Sequence, residues 1–144
     1  MGYCMSQEHA EFTIAKSKHE PALKKLKELM KRTDLMSGMS YDGRGGREKF
    51  FSWVSTEDVL SASSLADAME AFRWPVEHDG EGNITAICFA GEKLGDDEHF
   101  FGSLAEFVDD GSFIEMHGEE GSMWRWVFSG GKVAKKHARV SWDS

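Results

Sequence analysis

The side chains with the widest chemical repertoire in this chain are its six histidines, which are His9, His19, His78, His99, His117 and His137. Imidazole is a common metal ligand, and a metal site built on one element places its ligands at short, fixed spacings. No two of these histidines form an HxH or HxxxH pattern, and neither Cys4 nor Cys88 lies at ligand spacing from any of them. We therefore expect no metal site and no other cofactor.

The segment 79–83, Asp-Gly-Glu-Gly-Asn, alternates oxygen-bearing side chains as the start of a calcium loop does. A calcium loop needs glycine at its sixth position and an acidic residue at its twelfth. Ile84 and Ala90 occupy those positions here. A hairpin turn is therefore the better interpretation of this segment.

Nothing in the sequence marks a catalytic nucleophile. There is no GxSxG motif, and the paired acids at 96–97 and 109–110 are typical of helix starts and turns. An enzyme stays open as the less favoured alternative. It would be a small-ligand or metal-dependent enzyme with a pocket near residues 33–49 and with His99 and His117 close to it.

Trp124-Arg125-Trp126 has the basic and aromatic composition of a stacking platform for single-stranded nucleic acid. In a strand, however, alternate side chains point to opposite faces. We therefore interpret both tryptophans as core residues and Arg125 as a surface residue that faces Glu115.

The elements that would position these residues follow from apolar periodicity. Period-two alternation predicts a strand over residues 10–16, and an amphipathic helix with a basic outer face follows it. Ser55 and Ser64 stand where helix N-caps are expected, residues 76–89 predict a hairpin, and another helix follows Asp97. The residues predicted to be buried in the amphipathic helix, in the helix that starts at Ser64 and in the helix that follows Asp97 are Leu23, Leu26, Leu29, Met30, Leu65, Ala68, Met69, Phe72, Phe100, Phe101, Leu104, Phe107 and Val108.

Residues 33–49 interrupt this pattern with many glycines, and we predict a mobile glycine-rich loop there. Arg44 and Arg47 are candidate anion-binding residues in this loop. No phosphate-binding motif surrounds them.

The C-terminal part predicts a three-stranded meander. A three-residue loop at 119–121, with Gly121 in the left-handed conformation, would place Glu115 opposite Arg125. The shared inner face would then be continued on the last strand by Ala138, Val140 and Trp142, with Lys135, His137 and Arg139 on its outer side. The apolar residues of the first two strands on that inner face are Ile114, Met116, Trp124, Trp126 and Phe128.

Together these elements predict one α+β domain over residues 1–144. Its mainly antiparallel sheet would carry helices on one face and end in the meander, with a ferredoxin-like core as one arrangement.

The net charge of −8 is unevenly distributed: residues 54–120 carry two Lys/Arg against seventeen Asp/Glu. Such an acidic field repels phosphate backbones, so we expect no direct binding to nucleic acid. No run of about eighteen apolar residues occurs, so we expect no membrane partner. Two distant cysteines outside any CxxC pattern favour a reducing compartment, and we expect a cytoplasmic protein.

Several segments resemble a family of small, acidic, uncharacterised proteins of bacterial and bacteriophage genomes. They are the opening Met-Gly-Tyr, Phe-Ser-Trp-Val-Ser at 51–55, Phe-Ala-Gly-Glu-Lys-Leu-Gly-Asp-Asp at 89–97, and GSFIEMHGEEGSMWRWVF at 111–128. The resemblance implies a prokaryotic or phage cytoplasmic setting. It implies no catalytic residue.

The favoured hypothesis is a non-enzymatic accessory protein of a phage or bacterium that binds a host protein through an acidic surface, for example as an anti-defence inhibitor. If that surface imitates nucleic-acid charge, the partner would be a nuclease or another protein that handles nucleic acid. The candidate partner-binding residues are Glu92, Asp96, Asp97, Glu98, Asp109, Asp110, Glu119 and Glu120.

Overall fold

The computed structural model describes residues 5–32, 34, 36, 38–41, 47–50, 54–91, 97–138 and 142, with only the backbone described at 38–41 and 47–50. The strands are β1 (Met5–Glu11), β2 (Gly38–Tyr41), β3 (Arg47–Phe50), β4 (Val76–His78), β5 (Ile84–Ile87), β6 (Phe113–Gly118), β7 (Met123–Ser129) and β8 (Lys132–His137). The helices are α1 (His19–Leu29), α2 (Thr56–Leu60), α3 (Leu65–Ala71) and α4 (Asp97–Leu104). Among the described residues, no helix has both the length and the apolar character needed to cross a bilayer.

The main sheet has four strands in the order β1-β6-β7-β8, and each neighbouring pair is antiparallel. The predicted α+β class and C-terminal meander are confirmed. In the described strands this order differs from a ferredoxin-like core, because the split βαβ units of that core require parallel neighbours. Strands β2 and β3 form one two-stranded ribbon, and β4 and β5 form another.

The predicted helix starts at Ser55 and Ser64 are confirmed by their capping bonds. The hydroxyl of Ser55 accepts the backbone N–H of Asp58 at 3.4 Å, and that of Ser64 accepts the N–H of Asp67 at 3.2 Å. Each bond satisfies a donor that has no partner within the first turn of the helix.

Aromatic side chains join the helices to the inner face of the sheet. Phe101 of α4 lies with its ring centroid 5.3 Å from that of Trp126 and 5.8 Å from that of Phe128. Trp74, just beyond α3, is 4.9 Å from Phe101 and fully buried. The core therefore lies between the helices and one face of the sheet, where aromatic pairs add to the burial of apolar area.

The register of the β6–β7 hairpin is as predicted. Glu115 pairs with Arg125, and Gly121 has a φ of +86° in the connecting loop. Both tryptophans of Trp124-Arg125-Trp126 are buried, at 3% exposure each, so their interpretation as core residues is also confirmed.

The predicted facing of β8 was wrong. Lys135 pairs with Trp126 and His137 with Trp124, so both lie on the tryptophan side of the sheet. The Nζ atom of Lys135 lies 4.9 Å from the Trp124 ring centroid, because the long apolar stem of lysine can cover an aromatic surface at a sheet edge. The predicted inward positions of Ala138 and Trp142 are also wrong, since both are exposed, Trp142 at 90%. Arg139 and Val140 lie outside the described residues.

Part of the segment predicted as a loop forms regular structure. Gly38–Tyr41 pairs with Arg47–Phe50 in antiparallel register, from Gly38 opposite Phe50 to Tyr41 opposite Arg47. Positions 33, 35, 37 and 42–46 of the predicted loop lie outside the described residues, whereas positions 34 and 36 are described.

Candidate functional site

The outer face of the main sheet, which is the face turned away from the helices, carries a network of charged side chains. Arg125 on β7 donates from Nε to Glu115 Oε1 at 3.0 Å and approaches the same oxygen through a terminal nitrogen at 2.9 Å. Glu115 Oε2 lies 3.5 Å from Nε2 of His117, and His117 Nδ1 lies 3.8 Å from Oε1 of Glu8. Four polar groups from β1, β6 and β7 are thus linked across the strands.

Glu115 is the most strongly held carboxylate of this network. The hydrogen bond from Arg125 is the main reason that the pKa of Glu115 lies below its ordinary value, and partial burial opposes this shift. The positive charge of Arg125 and the contact with His117 lower the pKa further. Glu115 is therefore ionised at neutral pH and serves as an acceptor rather than as a proton donor.

Aromatic side chains lie beside this network. The guanidinium carbon of Arg125 lies 4.8 Å from the ring centroid of Phe113, and the His9 ring lies 5.4 Å from the same ring. A guanidinium over an aromatic face is an attractive arrangement. Phe113 is therefore partly covered from two neighbouring strands.

The outer face is divided by charge. The acidic residues Glu8, Glu11 and Glu115 belong to β1 and β6, whereas Arg125 and Lys136 belong to β7 and β8. Across the sheet, His9, Glu115, Arg125 and Lys136 form one row of directly paired residues. One half of the face is therefore acidic and the other basic.

Asp97 does not belong to any acidic surface, which corrects its assignment as a partner-binding residue. It is 1% exposed, and its Oδ1 accepts a hydrogen bond from the buried Trp74 Nε1 at 3.0 Å. As the first residue of α4 it faces the aromatic core, and the indole donor helps to offset the cost of burying its carboxyl. Glu98, the next residue, is exposed as predicted. Glu92 and Asp96 lie outside the described residues.

Asp109 and Asp110 are exposed and sit on a firmly held turn. The N–H of Asp109 donates to the carbonyl of Thr13 at 2.9 Å, and Asp110 Oδ1 accepts the N–H of Gly130 at 2.9 Å. These bonds tie the turn to the chain beyond β1 and to the β7–β8 turn.

Glu119 and Glu120 are exposed in the β6–β7 turn, at the opposite end of β6 from Asp109 and Asp110. A six-residue strand is roughly 20 Å long. The predicted acidic residues therefore form separate groups rather than one continuous patch.

The basic candidates and the histidines of the alternative hypothesis do not form a single site in the described residues. Arg44 lies outside those residues, and only the backbone of Arg47 is described, in β3. His117 lies on the outer face of the sheet, whereas His99 lies on α4, which packs on the inner side. His99 instead lines a groove of about 490 Å³ between α1, α4 and β8, together with Arg32, Ser103 and Lys132.

The segment around Asp79 is a hairpin turn, as predicted. Asp79 Oδ1 accepts the backbone N–H groups of Glu81 and Asn83, each at 2.9 Å, and Oδ2 accepts the Asn83 side-chain amide at 3.1 Å. These bonds hold the pKa of Asp79 below its ordinary value, and the bond from the Asn83 side chain makes the largest contribution. In the part of the chain that the structure describes, no three His, Cys, Asp or Glu side chains are grouped so as to hold a metal ion.

The link from His117 to Glu8 was missed by sequence reasoning, although the Glu115–Arg125 pair was found. Residues 115 and 117 share a face by strand alternation, which is a usable signal. Glu8 stands at an irregularity between Gln7 and His9, where the pairing register shifts. Its position could not be deduced from alternation alone.

Comparison with known proteins gives no relative: the chain matches no protein-family model, no curated protein and no solved structure at a significant level.

Proposed function

We propose that this protein is a non-enzymatic protein-binding module of the bacterial or phage cytoplasm, which occupies a basic host protein through exposed carboxylates. A nuclease or another protein that handles nucleic acid is the favoured partner class, because such proteins present basic surfaces to phosphate backbones. The bacterial or phage cytoplasm is the setting that the sequence resemblance implies.

The observation that carries the proposal is the presentation of Asp109. Its side chain is exposed and, within the described residues, makes no ion pair, while its backbone is hydrogen-bonded on both sides, to Thr13 and to Ser112. A charge held on a rigid turn loses little conformational freedom when it meets a partner. Asp110 is the next residue and Glu106 lies three residues before Asp109; both are exposed, and Glu106 Oε1 lies 3.9 Å from Lys25 Nζ. We call these three residues the acidic turn.

The charge distribution supports the same reading. Residues 54–120 carry a large excess of acid, and a cleft or surface of one sign attracts an oppositely charged partner over several ångströms. Attraction of this type accelerates association and weakens as salt is added.

The test is affinity capture from host lysate, followed by binding measurements with the isolated partner. We expect Asp109→Lys and Glu106→Lys to weaken binding by about tenfold or more, mainly through slower association at low salt. The matched control is Glu81→Lys in the β4–β5 turn, which makes the same charge change at an exposed site on a different element. Asp97 is unsuitable because it is buried, and Asp110 because it holds Gly130.

Equal binding by the Asp109→Lys variant and the control would remove the acidic turn from the proposal. The pair Glu119→Lys and Glu120→Lys then decides whether the other exposed acidic group is used. Indifference of the captured partner to all of these changes and to salt would contradict the proposed function.

Among the described residues, the groove beside His99 favours the alternative, a small-ligand or metal-dependent enzyme with a pocket near residues 33–49. Its wall includes Arg32, whose guanidinium is bound to Asp34 with contacts of 2.9 and 2.7 Å. A thermal-shift screen with small anions, repeated on Ser103→Trp to fill the groove, tests this alternative. A ligand that stabilises the wild type but not the filled variant would support it.

A further inference from the structure

We infer that the outer face of the main sheet is the interface of a homodimer, with a second copy of this chain packed face to face on it. In the described part of the chain no element covers this face, and its central residues are only partly buried: Phe113, Glu115 and His117 on β6, and Met123 and Val127 on β7. The inference is independent of the proposed function, because it uses a different surface.

Charge complementarity identifies the second copy as the occupant. Because β1 and β6 are acidic on this face and β7 and β8 basic, the face is complementary to itself after rotation by a two-fold axis. An isologous interface requires this property, since the same patch must meet itself. A uniformly acidic or basic partner would match only half of the face and would be repelled by the other half.

The charges also select the direction of the axis. A two-fold axis parallel to the strands places β6 of one copy over β7 of the other, so that Glu115 meets Arg125 of the second copy twice. An axis across the strands would place Glu115 over Glu115 and Arg125 over Arg125, which is repulsive. The first arrangement turns the internal Glu115–Arg125 pair into a four-membered network.

The row of Phe113 and Val127 agrees with an axis parallel to the strands. Phe113 pairs with Val127 within the sheet, and the rotation lays Phe113 of one copy over Val127 of the other. A depression of about 520 Å³, lined in part by Arg125, Val127 and Lys136, lies beside this row. The His9–Phe113 ring pair of the second copy would lie above it.

The size of the face predicts a weak dimer. Four strands about 4.8 Å apart and roughly 20 Å long give a flat sheet area of about 400 Å² per copy, without the additional surface of the protruding side chains. Two such faces fall short of the roughly 1,200–2,000 Å² that stable interfaces bury. We therefore expect dissociation in the micromolar range or above.

Sedimentation velocity over a range of protein concentrations tests the interface, at about 50 mM and about 500 mM salt. We expect the wild type to shift from monomer to dimer with concentration, and more readily at the lower salt. The Lys136→Glu variant should stay monomeric. Within one chain the new glutamate would lie opposite Arg125, which is favourable for the folded monomer. In the dimer the same glutamate would face the acidic half of the second copy. Lys31→Glu beyond α1 is the control with the same charge change and should dimerise as the wild type does.

Zero-length carbodiimide cross-linking identifies the face. Strands β1 and β8 are three spacings apart within one chain, about 14 Å, so a Lys136 bond to Glu8 or Glu11 can form only between copies. We expect this bond in the covalent dimer and its loss in Val127→Arg. A wild type that is monomeric at every concentration, a Lys136→Glu variant that dimerises normally, or a dimer cross-linked only through other surfaces would each overturn the inference.

Discussion

Asp97 and Glu98 are neighbouring acids with opposite environments, and their substitutions should separate structural from surface roles. Asp97→Ala removes the acceptor of the buried Trp74 N–H, which makes no other hydrogen bond in the described residues. An unsatisfied buried donor costs about 1–3 kcal/mol, so we expect at least that loss in the free energy of unfolding. Asp97→Asn keeps an oxygen acceptor and should lose less. Chemical denaturation at neutral pH measures both.

Glu98→Ala is the matched control for this prediction, because the residue is exposed on the same helix turn. Its effect should stay within about 0.5 kcal/mol. If Asp97→Ala were as mild as Glu98→Ala, the Trp74–Asp97 bond would contribute nothing to stability.

The ionised Glu115 should stabilise the fold at neutral pH, and this stabilisation should be lost in acid. Its pKa is lowered in the folded state, so its contribution is fully present above its ordinary pKa of 4.5 and is lost as pH falls through the lower, folded value. We expect Glu115→Gln to cost about 0.5–1 kcal/mol at pH 7 and progressively less below about pH 4.5. Urea titrations between neutral pH and about pH 3 measure the difference.

The comparison for Glu115 is Glu119→Gln in the β6–β7 turn, an exposed carboxylate without an ion pair among the described residues. It should leave both the stability at pH 7 and its pH dependence close to those of the wild type. A Glu115→Gln variant whose cost did not shrink on acidification would exclude the proposed electrostatic origin.

Single-residue environments were the hardest part of the molecule to deduce from the sequence. Asp97 and Glu98 are neighbouring acids that the sequence does not distinguish, and the packing of α4 against Trp74 buries Asp97 and leaves Glu98 exposed. The partner of a polar side chain on another strand, such as Glu8 for His117, depends likewise on which strands become neighbours. By contrast, the Glu115–Arg125 pair could be predicted because both residues belong to one hairpin.

At the scale of elements, the conformation of Gly121 fixes the register of the β6–β7 hairpin. Its φ of +86° is unfavourable for a residue with a side chain, although a Cβ there would meet no atom within 4 Å. Gly121→Ala should therefore lose about 1–2 kcal/mol of stability through backbone strain alone. Thermal unfolding followed by circular dichroism measures the loss.

The same substitution at Gly102 in α4 should have the opposite effect on stability. A Cβ at Gly102 also meets nothing within 4 Å, and the residue is helical and exposed. Gly102→Ala should stabilise the protein by about 0.5–1 kcal/mol, because alanine is the better helix former. If both substitutions shifted stability in the same direction, backbone conformation would not explain them.

The two edges of the meander show why one register was predictable and the other was not. In β6 and β7 every inner residue is apolar, so a shift of one position would expose the tryptophans. In β8 the inner position opposite Trp126 is Lys135, whose stem covers the ring while its charge reaches solvent. A polarity pattern assigns such a lysine to the outer side and shifts the whole strand by one residue. Lysines also protect an edge strand from pairing with other chains, which is a second reason for their presence there.

Over the whole molecule, the described strands differ in how they are supported, and this should appear as a hierarchy of amide exchange. Strands β6 and β7 are hydrogen-bonded on both sides and lie over the aromatic core. The ribbon β4–β5 is tied to the N-terminal segment by paired backbone bonds between Ile14 and Ile84, both 3.0 Å, and by a bond from Gln7 Nε2 to the Ile87 carbonyl at 2.8 Å.

The β2–β3 ribbon has no third strand in the described part of the chain, and an isolated two-stranded ribbon is at best marginally stable in water. We expect the slowest exchange in β6 and β7, intermediate rates in β4–β5 and the fastest in β2–β3, because local opening costs least where support is least. Hydrogen–deuterium exchange read by mass spectrometry gives these rates for each peptide. The Gln7→Ala variant should accelerate exchange in β4–β5 without changing β2–β3. Equal protection of both ribbons in the wild type would contradict this order and would indicate that β2 and β3 are held by contacts beyond their own pairing.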